Sequence, residues 1–134
     1  MKEIPVGTKG HYEMTVTDND TAKVYGSGSL EVFGTPAMIA LMEKCALESI
    51  IPYLDEGEGS VGTALHVSHV AATPVGMRVR CESILTEIDR KRLTFDVKAY
   101  DEAGLIGEGT HERFVILNDS FMEKAGLKKQ GISH

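Results

Sequence analysis

Tryptophan is absent from this chain, aromatics make up only 6% of it, and there are just two cysteines and four prolines in 134 residues. Two isolated cysteines, Cys45 and Cys81, exclude a disulfide framework. With no C-x-x-C unit, they also exclude a dithiol redox centre or a cysteine-built zinc site. They fit reduced thiols, and a cytoplasmic location is expected. No apolar run approaches bilayer-spanning length, and residues 1–5 lack the apolar core of a signal peptide, so no membrane partner is expected. Cations are the minority charge: 14 Lys and Arg against 20 Asp and Glu, a formal net charge of -6. With no long basic patch, nucleic acid is not an expected partner either. No cluster of His, Cys, Asp and Glu shows metal-ligand spacing, and neither a metal nor another cofactor is expected.

What is present is 42% hydrophobic and 25% charged, in keeping with one domain over residues 1–134, of which 119–134 read as a polar tail. A chain this short gains stability by burying a further face against a second copy. The run TPAMIALMEKCALESII at residues 35–51 reads as one helix of about four turns. Thr35 suits its N-cap, Pro36 its first turn, and Pro52 disfavours helix in the residue before it. Lys44 and Glu48 mark the solvent stripe.

Glu43 is out of place on this helix. Its neighbours three, four and seven residues away are Pro36, Ile39, Ala40, Ala46, Leu47 and Ile50, all apolar. A carboxylate on that stripe is expected to face the core, where lost hydration costs several kcal/mol unless a partner or a function compensates. Burial also raises a carboxylate's pKa, which suits proton transfer.

Strands are expected at residues 11–17, 61–72, 77–88, 93–100 and 106–117. The linking segments 73–76, 89–92 and 101–104 are of hairpin length, so the last four strands read as an antiparallel meander. Two-residue alternation puts Val61, Thr63, Leu65, Val67 and His69 on one face, with Gly62, Ala64 and His66 on the other. In the third strand Ser83 and Ile84 break the pattern. Glycines 107 and 109 suggest a bend or close backbone approach. One long buried helix and an antiparallel sheet give an α+β fold in which a curved sheet wraps the helix.

The segments VFGTPAMIALME at 32–43, PYLDEGEGSVGTA at 52–64, VSHVAATP at 67–74 and IGEGTHER at 106–113 together resemble the fluoroacetyl-CoA thioesterase family of hotdog proteins. The likeness extends over residues 6–117. It implies a hotdog homodimer with active sites along the subunit interface, hydrolysing small acyl-CoA thioesters to free acid and CoA. Catalytic threonine, glutamate and histidine would fall on Thr35, Glu43 and His69, and substrate-contacting glycine and arginine on Gly62 and Arg113. Members specialised for the fluorinated substrate carry a longer, aromatic-rich lid before the central helix. Here that stretch is the shorter TAKVYGSGS at 21–29, which argues against fluoroacetyl specificity.

Hydrolysis then asks Glu43 to activate water or attack the carbonyl, His69 to assist proton transfer, and Thr35 to hold water or the carboxylate. Backbone N–H groups near Gly62 or the helix start would receive the oxyanion. Each residue also has an ordinary reading: Glu43 as a structural ion pair, His69 as a core histidine, Thr35 as a cap, Arg113 as a surface cation. His111 shares Arg113's parity but ranks low, and the turn Arg90-Lys91-Arg92 is either solvated or a contact for CoA phosphates. A hydratase on the same fold is expected to carry a histidine in or beside the helix, and this helix has none. The remaining alternative is a non-catalytic acyl-CoA binding or sensing module.

Overall fold

A 16-residue helix, α2 (Thr35–Ile50), organises the molecule. Ahead of it come strand β1 (Lys9–Thr15) and a single-turn helix α1 (Ala22–Tyr25). After it come β2 (Glu58–His69), β3 (Arg78–Asp89), β4 (Arg92–Asp101), β5 (Gly104–Leu117) and a terminal helix α3 (Asn118–Gly131). This computed structural model describes residues 1–131. The last three residues of the expected polar tail lie outside them, and the rest of that tail forms α3, with its side chains exposed.

The helix starts one residue earlier than a threonine cap requires. Gly34 is the N-cap and offers no side-chain bond, while Thr35 is the first helical residue and its hydroxyl is used elsewhere. At the other end α2 passes into a 3-10 turn, Ile51–Tyr53, because Pro52 cannot donate the next helical hydrogen bond. Ala37, Met38, Leu41, Met42, Cys45, Ala46 and Ile50 are buried on the sheet side. They meet Val79, Cys81, Leu85, Leu93, Phe95, Val97 and Ile106, the inward alternate residues of β3, β4 and β5.

The five strands form one antiparallel sheet in the order β1-β3-β4-β5-β2. Only β3, β4 and β5 are a meander. β2 pairs with β5 at the far edge and not with the strand that follows it, which corrects the four-strand meander. Residues 70–77 therefore cross the fold. They are held by the Val70 N–H on the Ile106 carbonyl (2.7 Å), the Phe33 N–H on the Thr73 carbonyl (2.8 Å) and a buried bond from the Thr73 hydroxyl to Asp101 (2.8 Å). The stretch before α2 closes with isolated bridges, Thr21 to Phe33 and Val32 to Pro74.

Two local details correct the faces expected from the sequence. The register of β2 on β5 shifts between Gly62 and Ala64, so Thr63 is an extra residue. That bulge turns Gly62, opposite Arg113, onto the same face as Leu65, opposite His111, and His69, opposite Gly107. In β3 the alternation does not break: Ser83 is buried and takes the Cys45 thiol, while Ile84 faces out.

Gly107 and Gly109 are points of close approach on β5. A Cβ on Gly107 would lie 2.6 Å from Met38 Sδ, and one on Gly109 would strike the His66 carbonyl oxygen on β2. A backbone oxygen in a paired strand cannot yield as a side chain can. Gly109→Ala is therefore expected to destabilise the fold by about 1–3 kcal/mol, read as a lowered urea midpoint; an unchanged midpoint contradicts the close approach.

Candidate active site

The expected site residues fall into two groups at opposite ends of β2. The first lies where the N-terminal half of β2 passes α2. Arg113, on β5 and only 5% exposed, donates from Nε to Ser60 Oγ (2.8 Å) and from Nη2 to the Ser60 carbonyl (2.9 Å). Its Nη1 donates to His111 Nε2 (3.1 Å) and lies 3.6 Å from the Glu43 carboxylate. His111 is wholly buried, with Nδ1 2.9 Å from the Ala64 carbonyl. A carbonyl only accepts and a guanidinium only donates, so His111 carries its proton on Nδ1 and is neutral. Burial pushes its pKa below the ordinary histidine value, opposed first by the bond to the Ala64 carbonyl. The Arg113 charge adds to the lowering, and Glu43 pulls the other way more weakly. Burial likewise lowers Arg113, with Glu43 opposing.

Glu43 therefore sits on a fixed positive charge, at the margin of the core. Its side chain is 38% exposed, and the stripe of Pro36, Ile39, Ala40 and Leu47 around it is only partly covered within one chain. This corrects the expectation of a core-facing carboxylate. Gly62 completes the group: a Cβ there would lie 2.6 Å from Glu43 Oε2 and 3.2 Å from the His111 ring. A residue with no side chain is the only fit that leaves the carboxylate where Arg113 holds it.

The second group is at the start of α2. The Thr35 hydroxyl meets His69 Nδ1 at 2.8 Å, a side chain–side chain bond in place of the expected cap. His69 Nε2 is buried and has no hydrogen-bond partner among the described residues. Burial pulls its pKa below the ordinary value, and the Ala71 backbone opposes this. Beside the pair opens a cavity of about 290 Å³, walled by Ala22, Ser27, Phe33, Ala71 and Ala72. The backbone N–H groups that begin a helix point out of its N-terminus and give it partial positive character, available here to a developing anion.

Thr35 and His69 are thus brought together, and so are Glu43, Gly62 and Arg113. The two groups are not. Eight residues along α2 separate Thr35 from Glu43 by about 12 Å, and no contact links Glu43 to His69 among the described residues. His66 is exposed on the opposite face, as the alternation requires. His111 and Ser60 were underrated or missed. The available signal for His111 was its parity with Arg113; Ser60 had none, since its role depends on the β2–β5 register.

A family model of fluoroacetyl-CoA-specific thioesterases matches residues 16–119. The chain belongs to this family. It is 45% identical over 98 residues to the fluoroacetyl-CoA thioesterase of Streptantibioticus cattleyicolor, spanning 73% of this chain and 70% of that one. The solved structure of the fluoroacetyl-CoA thioesterase FlK superposes with a TM-score of 0.90 at 37% identity, over 95% of this chain and 98% of that one. A thioesterase superfamily member from Thermus thermophilus matches over the full length of both chains, with a TM-score of 0.90 and 30% identity. The hotdog fold and the family expected from the sequence segments are borne out.

The two lowered histidines set a pH dependence of stability. As pH falls, the unfolded chain takes up protons at these positions before the folded one does. Stability is therefore full above about pH 6.5 and declines below it, until the folded-state pKa values are reached. Urea midpoints are expected to drop between about pH 7.5 and 5.5, above the range of ordinary carboxylates. The drop is expected to be smaller in His111→Gln; an equal slope in that variant would remove the buried neutral imidazole from the account.

Proposed function

We propose that the protein hydrolyses small acyl-CoA thioesters as a homodimer, each active site being assembled from both protomers. The carrying observation is the Glu43 carboxylate, held over the buried Arg113 and pressed against Gly62, in a chain of a thioesterase family. The division into two groups supports the dimer. β2 is an edge strand of the sheet, and antiparallel pairing of two such edges about a twofold axis superimposes the Gly62 end of one on the His69 end of the other. Glu43, Gly62 and Arg113 of one protomer then face Thr35 and His69 of its partner. Such a dimer also covers the half-open stripe of Pro36, Ile39 and Leu47.

In this site Arg113 positions Glu43, which activates water or attacks the thioester carbon directly. The bond to sulfur breaks and CoA leaves as a thiolate, a good leaving group that needs little acid assistance. The oxyanion is received by backbone N–H groups at the start of α2, and His69, oriented by Thr35, relays the proton. Acyl groups are short, in keeping with a cavity of about 290 Å³ beside Thr35. Residues 21–29 contribute one aromatic side chain, Tyr25, which is 49% exposed. We therefore read the acyl selectivity as broader than fluoroacetyl, which a panel of acetyl-, propionyl-, fluoroacetyl- and aryl-CoA tests. We read the chain as one domain working in the cytoplasm, supported by two free buried thiols; among the described residues no helix is long and apolar enough to cross a membrane.

Free-thiol release from acyl-CoA is expected to fall at least about a hundredfold in Glu43→Gln and in His69→Ala. Saturable binding without thiol release by the wild type would favour a sensor. Co-refolding the two variants tests the composite site. Half of the random dimers are mixed and each holds one intact site, so activity is expected to return to about a quarter of wild type. Activity no greater than the average of the two variants would place each site within one protomer.

A further inference from the structure

Helix α3 buries none of its side chains, although Phe121, Met122 and Leu127 are among them. Leu117, Phe121 and Ala125 follow one another at four-residue spacing with Met122 beside them, so an apolar stripe runs along one side. A 14-residue helix with Gly126 in its interior is marginal in water by itself, since nucleation and backbone entropy oppose its few hydrogen bonds. Packing on the stripe is what would hold it. Two contacts fix the direction in which α3 leaves the sheet. The Asn118 N–H bonds the Gly57 carbonyl (2.8 Å), and the Asn118 side chain fills the space over Gly59. The helix therefore passes from β5 over the start of β2, toward the free edge of the sheet.

A second open apolar surface lies at the other end of β2. Val70 directly follows His69, and it walls the cavity beside Thr35 together with Ala22 and Ser27. Val24, Tyr25 and Leu30 belong to that same segment, and with Val70 they are between 49% and 67% exposed. The two surfaces also differ in charge. Residues 18–31 carry three acids and one lysine, whereas α3 carries three lysines and two acids. Within one chain they cannot meet, because the 12 residues of β2 hold them about 40 Å apart.

We propose that α3 of each protomer docks on Val70 and the segment 22–30 of its partner, laying Phe121 and Met122 over the mouth of the cavity beside Thr35 and His69. The choice of a second copy as the occupant rests on the homodimer proposed above. Antiparallel pairing of the two β2 edges sets Glu58 beside His69 of the partner. Leu117 is opposite Glu58 in the β2–β5 register, so α3 starts two strand spacings, about 10 Å, from that histidine. The helix is about 21 Å long, enough to cross Val70 and reach the segment beyond it. Docking makes closure of the acyl cavity a property of the dimer. Phe121 then supplies aromatic cover where residues 21–29 of the partner bring only Tyr25.

Disulfide trapping in the full chain tests the contact. Val70→Cys combined with Phe121→Cys is expected to give a covalent dimer on oxidation with diamide, read on a non-reducing gel. Neither single variant is expected to cross-link, nor is the wild type, whose two thiols are buried. By analytical ultracentrifugation, Phe121→Ser is expected to raise the dimer dissociation constant about tenfold. Leu127→Ser, on the opposite side of α3, leaves it unchanged and controls for loss of helix. A double-cysteine variant that does not cross-link, or a Phe121→Ser dimer as tight as a catalytically active wild-type dimer, overturns the docking and leaves the thioesterase dimer standing. A wild type that is monomeric at micromolar concentration overturns both. Cross-linking in a chain that releases no thiol from acyl-CoA sustains the docking and removes the thioesterase reading.

Discussion

The buried guanidinium of Arg113 is the constraint on which the rest of the site depends. A cation only 5% exposed is costly unless its donors and its charge are both answered. Two donors go to Ser60, a third to the lone pair of a neutral His111, and the charge is met by Glu43. Each answer ties a different element. Ser60 is on β2, His111 on β5, Glu43 on α2, and through His111 the Ala64 carbonyl just past the β2 bulge is held as well. The carboxylate is thus a partner that the structure requires, placed by its counter-charge and not by its own burial. A buried cation whose donors are answered from several elements is held stiffly, which suits the role proposed for Glu43.

Close backbone approach is the complementary device. Gly62 leaves no room for a side chain beside Glu43, and Gly107 and Gly109 let β5 run tightly under Met38 and β2. The bulge at Thr63 then determines which residues of β2 look toward the helix. Without it, Gly62 and His69 would lie on opposite faces of the sheet. One inserted residue therefore decides whether the two ends of β2 present chemistry to the same side.

The arrangement also explains why a single chain holds two incomplete groups. The helix sets Thr35 and Glu43 two turns apart, too far to act on one carbonyl carbon. An edge strand with both groups on one face, joined by a half-covered apolar stripe, is a surface suited to a twofold partner. In the proposed assembly, separation within the chain becomes proximity between chains, and thiol release cannot occur without dimerisation.

Local patterns settled much of this molecule. Helix α2, the strand segments and the inward faces of β4 were legible, because apolar periodicity reports burial directly. The anomaly at Glu43 was legible too, as a charge among apolar neighbours, and the combined segments around Thr35, Gly62, His69 and Arg113 pointed to the family and the hotdog fold. What the residues could not reveal was non-local. The pairing of β2 with β5, the bulge that reverses Gly62, the inward Ser83 and the Thr35–His69 bond in place of a cap all depend on residues far apart in the chain. So does the neutral His111 beneath Glu43. Spacing along a chain encodes which face a side chain occupies, but hydrogen-bond partners and close contacts are decided only when strands take up register in three dimensions.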